Sequence, residues 1–148
     1  MNNLKYLLSI TLLLGAFVMI GCGDDDDGDG DGPSAEELQL QMIAKTWQVQ
    51  TVTFEGTDVT EATFSNFSIT FGSDKTFTTS NGEPIFTGGG LWDFGSTLDI
   101  IIVDGVTMTT LINADASALR LTFTAAGESI GSKKSGLTGD YVFDLLAQ

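Results

Sequence analysis

Apolar and polar residues change rhythm twice along this chain. From Tyr6 to Ile20 nearly every residue is apolar, and from Asp24 to Gly32 only aspartate and glycine occur. From Leu38 onward apolar residues return, first at helical spacing and then at every second position. "SAEELQLQMIAK" opens with Ser34, and Glu37 stands three residues later, the capping-box pattern of a helix N-terminus. Leu38, Met42 and Ile43 then share one helical face, which predicts a helix running to about Lys45. After it the rhythm is period two. Strands are predicted at 46–54, 67–71, 75–79, 90–94, 98–103, 106–112, 118–124 and 141–147. Turn residues separate them: "GSDK" at 72–75, "NG" at 81–82, "GGG" at 88–90, "GS" at 95–96 and "DG" at 104–105. Asp104-Gly105 between two apolar runs is the strongest hairpin signal in the chain.

Eight strands joined by short turns describe an antiparallel up-and-down meander. Closing it into a barrel removes the unpaired edges. The predicted fold is therefore all-β, an eight-stranded antiparallel barrel with a short N-terminal helix. Alternation points Trp47, Phe67, Phe71, Phe77, Trp92, Phe94, Phe123, Tyr141 and Phe143 inward. A barrel of this size has room for packed side chains or for one small ligand, and the sequence leaves both open. With a cavity, Trp47, Trp92, Phe94 and Tyr141 are its expected walls, and a small apolar or aromatic molecule its expected ligand.

The hairpin "LDIIIVDGVTMTT" is apolar on both faces. A two-residue turn sets Val103 opposite Val106 and Ile101 opposite Met108. If Leu98, Ile100 and Ile102 face inward, these four form an exposed patch that suits an envelope protein partner; a covering loop or helix is the other reading. "AAGESIGSKKSGLTGD" (125–140) reads as a long loop carrying Lys133 and Lys134, a solvated pair. Asn66-Phe67-Ser68 matches a glycosylation sequon by chance.

Charge narrows the function. The chain has 148 residues, a formal net charge of −14 and no histidine. Residues 24–37 hold eight acids and no base, while 38–148 hold twelve acids and five bases, net −7. Nucleic-acid binding needs a basic footprint and is not expected. No cofactor is expected. Without His, a G-x-S-x-G elbow or a phosphate loop, catalysis is not expected either. A carboxylate pair could hydrolyse glycosides, but Asp93 and Asp99 alternate away from the aromatic face. The tether also matches the calcium-loop pattern through Asp25, Asp27, Asp29 and Glu36, with Gly30 at the turn. No helix leads into that loop, Gly32 replaces its usual apolar residue, and alternating Asp and Gly meet the pattern by chance. We expect no metal site there.

The start of the chain carries an address. Lys5 precedes the apolar run, which is short for a membrane span and ends at small residues, as secretory signals do. "MIGC" (19–22) resembles a bacterial lipobox. The resemblance implies cleavage before Cys22, the only cysteine, and acylation of Cys22. More than one acyl chain is needed for stable anchoring, and a triacylated Cys22 meets that need. The acids that follow resemble the lipoprotein export signal of Bacteroidota. That implies an outer-membrane protein displayed at the cell surface, with a periplasm-facing lipoprotein as the alternative. The expected organisation is a signal peptide (1–21), a lipidated Cys and disordered acidic tether (22–33), and a barrel domain (34–148).

Within the domain, "IAKTWQV" (43–49), "FGSDKTF" (71–77), "GGLWDF" (89–94) and "GDYVFDL" (139–145) resemble the lipocalin-like domains of Bacteroidota lipoproteins. Lys45 and Lys75 stand where those domains carry glycine. The resemblance implies a lipocalin-like barrel and a non-catalytic binding role, though fold alone does not imply function.

Overall fold

The computed structural model describes residues 32–131 and 135–148. The expected signal segment, Cys22, Asp25, Asp27, Asp29 and the Lys133-Lys134 pair lie outside these residues. Within them the chain forms helix α1 (Ala35–Ile43), β1 (Thr46–Phe54), β2 (Thr57–Asp58), a one-turn helix α2 (Thr60–Thr63), and β3 (Ser68–Phe71). There follow β4 (Thr76–Ser80), β5 (Gly89–Phe94), β6 (Ile100–Val103), β7 (Val106–Ile112), β8 (Ala118–Glu128) and β9 (Ser135–Ala147). Every pairing is antiparallel and sequential from β3 to β9. β1 pairs with both β3 and β9, so eight strands close into a barrel, and β2 adds two residues beside β1. This is the predicted up-and-down barrel.

The capping box of α1 is formed. Glu37 N–H donates to Ser34 Oγ at 3.1 Å, and Ser34 N–H donates to Glu37 Oε2 at 2.7 Å. The helix stops at Ile43, two residues before the predicted end, and Leu38 is 48% exposed rather than packed. Ile43 is the one fully buried residue of α1, with Leu40 packed beside it. The indole N–H of Trp47 donates to Ile43 O at 2.9 Å, joining the Lys45 N–H (2.8 Å) on a carbonyl that has no partner within the helix.

Two expectations are corrected. The 125–140 stretch is not a long loop. β8 and β9 continue through it, with Ala125 opposite Gly139, Ala126 opposite Thr138 and Glu128 opposite Ser135. The register shifts between Ala126 and Glu128, where Gly127 (φ +91°) alone stands opposite two residues of β9, and small residues gave the ladder no apolar rhythm to read. The second correction concerns the β6–β7 hairpin. Its register is as predicted, Val103 opposite Val106 and Ile101 opposite Met108, and Asp104 and Gly105 both take positive φ, as a type I′ turn requires. The faces are reversed. Ile101, Val103 and Met108 are fully buried and Val106 packs against the core, so these four do not form an exposed patch. Neighbouring β5 decides the phase: Trp92 pairs with Val103 and Phe94 with Ile101, so the apolar rings and these two residues share the inner face.

Register also sorts the loops to the two ends of the barrel. One end holds α1, the 72–75 and 95–99 turns, and the 113–117 turn, where Lys45 Nζ donates to Ala116 O. The other holds residues 64–67, 81–88, the 104–105 turn and 129–131. There Phe86 bridges Ile130, and Asn81 Nδ2 donates to Asn66 O.

Candidate functional site

The interior of the barrel is occupied by rings. Phe64, Phe67, Phe86, Phe123, Tyr141 and Phe143 are all buried and form one contact network. Phe67 stacks on Phe86 at 5.3 Å, Phe123 stacks on Tyr141 at 5.6 Å and on Phe143 at 5.8 Å, and Phe64 meets Phe143 edge-on at 5.0 Å. These are the offset and edge-to-face arrangements of packed aromatic cores. Phe64, Ile85, Phe86 and Ile130 come from loops without period-two rhythm, so alternation did not place them in the core.

The four expected pocket walls do not converge. Trp47 lies beneath α1, its N–H taken by Ile43 O. Tyr141 pairs with Phe54, which is seven residues beyond Trp47 on β1; at 3.3 Å per residue that separates them by about 23 Å. Burial raises the Tyr141 phenol above its ordinary pKa. Trp92 and Phe94 do come together, their rings 5.4 Å apart and edge-on. Trp92 also meets Phe71 edge-on, and its indole N–H donates to Gly72 O at 3.2 Å, which pins the 72–75 hairpin.

That hairpin brings a third group to Trp92 and Phe94. Lys75 sits at φ +63°, a left-handed position that normally selects glycine. Its Nζ lies 4.0 Å from the Phe94 ring centroid, 4.7 Å from that of Trp92 and 3.0 Å from Asp93 Oδ1, with Glu36 of α1 at 3.8 Å. Two aromatic faces and two carboxylates thus surround one ammonium. Lys75 holds the Asp93 carboxyl below its ordinary pKa, chiefly by hydrogen bonding, helped by the Phe94 N–H and by charge attraction. The Asp93 side chain is 73% exposed, so water screens the pair and it contributes little to stability. Glu36, the last ligand of the calcium pattern, faces this lysine, and no cluster of three or more metal-ligating side chains occurs among the described residues.

Beside the ammonium runs an open cleft of about 470 Å³, lined by Leu91, Asp93, Phe94, Ile102 and Asp104 with Lys75 and Trp92. Leu91 is 66% exposed and Ile102 39% exposed. Asp93 pairs with Ile102 across β5–β6, and Asp104 N–H donates to Leu91 O, so each of the two apolar residues stands across from an acid. The signal for this face was in the alternation itself: once Trp92 and Phe94 point inward, Leu91 and Asp93 must point outward. A second cleft of about 540 Å³, at the end that holds residues 64–67 and 81–88, is polar, lined by Glu61, Ser65, Thr79, Asn81 and Glu83 among others. Asp99 is exposed because it lies on the turn before β6; its parity is that of the buried Ile101 and Val103. Comparison with family models, with curated proteins and with solved structures returned no match for this chain.

Proposed function

We propose that this protein is a lipid-anchored, non-catalytic lipoprotein of the bacterial cell envelope, held by acylated Cys22, whose barrel is a filled scaffold. It acts through its outer surface on an envelope protein partner. The observation that carries this reading is the ring network inside the barrel. Six buried rings in mutual contact occupy the space that a carried ligand would need. The outer cleft of β5–β6 supplies what the interior does not, exposed leucine and isoleucine flanked by charge, which is the composition of a contact surface.

Native mass spectrometry of the mature protein, extracted gently from cells that produce it, tests the filled barrel. The expected result is the mass of the acylated chain alone. A stoichiometric adduct of defined mass, lost on unfolding, would replace the scaffold with a ligand carrier.

A further inference from the structure

Lys75 Nζ is held between the Phe94 and Trp92 rings and beside Asp93 and Glu36. We infer that the β5–β6 cleft docks a basic, apolar-flanked peptide segment of a partner protein. Its lysine ammonium takes the seat over Phe94 beside Asp93, in exchange with the chain's own Lys75. The inference rests on the proposal that the outer surface does the work.

Three observations lead to it. First, the seat is demonstrably built for an ammonium on an aliphatic stem, because one sits there, between two ring faces and two carboxylates. Second, the occupant stands on a strained backbone position. A residue with a Cβ at φ +63° costs of order 1 kcal/mol against glycine, and the turn holds Lys75 there through its backbone, Lys75 N–H donating to Gly72 O at 3.2 Å and Lys75 O accepting from Trp92 N–H at 2.9 Å. Its release also recovers rotamer freedom and returns a buried ammonium to water, while Asp93 is in water throughout. Third, the cleft continues from the seat as alternating acid and apolar positions: Asp93 faces Ile102, and Leu91 faces Asp104, whose carboxylate accepts from Gly131 N–H at 3.1 Å. A segment with apolar side chains next to lysine matches that order. The domain's net charge of −7 over residues 38–148 attracts such a segment and repels an acidic one.

The test uses amide chemical shifts of the protein titrated with acetyl-Leu-Lys-Leu-amide. The comparison probes are the same peptide with norleucine for lysine, and butylammonium alone. In Lys75→Gly the backbone keeps its left-handed turn without strain and the seat is vacated. Shifts are expected at Leu91, Asp93, Ile102 and Asp104, with affinity about tenfold higher in Lys75→Gly than in the wild type and about fivefold lower in Lys75→Gly/Asp93→Asn. The norleucine peptide is expected to bind at least tenfold more weakly. Equal binding of the norleucine peptide, or no gain in Lys75→Gly, would overturn the ammonium seat. Butylammonium matching the peptide would assign the seat to free amines and overturn the peptide. Shifts centred on Phe123 and Phe143 would instead place binding inside the barrel, and would overturn the filled scaffold itself.

Discussion

At the scale of the residue, the two kinds of aromatic side chain with a polar handle, tryptophan and tyrosine, are treated differently. Both tryptophans use their N–H on backbone carbonyls, Trp47 on Ile43 and Trp92 on Gly72, so each ring anchors the end of an element. Tyr141 is fully buried, and its hydroxyl has no hydrogen-bond partner among the described residues. Leaving a hydroxyl unpaired inside costs about 1–3 kcal/mol. Tyr141→Phe is therefore expected to stabilise the fold by about 1 kcal/mol in urea unfolding, where an ordinary buried tyrosine would show a loss. The phenol's raised pKa gives a second readout. A group whose folded pKa lies above its unfolded value contributes stability that is complete below the unfolded pKa, about 10 for tyrosine, and is lost as pH rises through the folded value. Wild type should lose stability above about pH 10 more steeply than Tyr141→Phe. Parallel alkaline profiles would show that the phenol titrates alike in both states.

At the scale of the element, the hairpin β6–β7 separates what a pattern specifies from what it leaves open. Its register was legible, because Asp104-Gly105 fixes a two-residue turn. Its phase was not, because "IIIV" is apolar on both faces and a one-residue slip exchanges them. Only the neighbouring strand, with Trp92 and Phe94 inward, settles which face is core. The distinction has a sharp consequence. Val103→Asp or Met108→Asp buries a carboxylate in the core and should destabilise the fold by about 3 kcal/mol or more. Ile102→Asp, on the outer face and opposite Asp93, should cost only about 1 kcal/mol. Denaturant midpoints measure both, and equal losses at Val103 and Ile102 would contradict the observed phase. Helix α1 shows the opposite case. Its start was legible from Ser34 and Glu37 down to the reciprocal hydrogen bonds, while its buried face was not, since Ile43 alone is fully covered. With so little of it buried, α1 should open locally at lower free energy than β8 and β9. Ser34→Ala should speed hydrogen exchange of the α1 amides about fivefold, the equivalent of a lost cap of ~1 kcal/mol, and leave the β8–β9 amides unchanged.

At the scale of the whole molecule, closure was legible and filling was not. Eight alternating segments with short connections leave few alternatives to a barrel. Whether nine inward rings leave a void depends on the loops that enter the ends, and Phe64 and Phe86 enter from loops with no periodic signal. The outer-face site was half legible: Trp92 and Phe94 were singled out, while Lys75 reached them through a hairpin conformation that no pattern encodes. The address rests on other chemistry. A chain of net charge −14 is repelled by anionic lipid, and no helix among the described residues is long and apolar enough to cross a membrane. Under the proposed anchoring, attachment is hydrophobic and concentrated at Cys22. Its free energy grows with buried acyl chain, by about 0.8 kcal/mol per methylene, and does not depend on salt. The wild-type protein should therefore stay with membranes through a high-salt wash and leave them in detergent. Cys22→Ala should shift it to the soluble fraction with the barrel intact by circular dichroism. Release of the wild type by salt would assign the attachment to a charged partner. A Cys22→Ala protein that stays with the membrane fraction would remove the lipid anchor from the account.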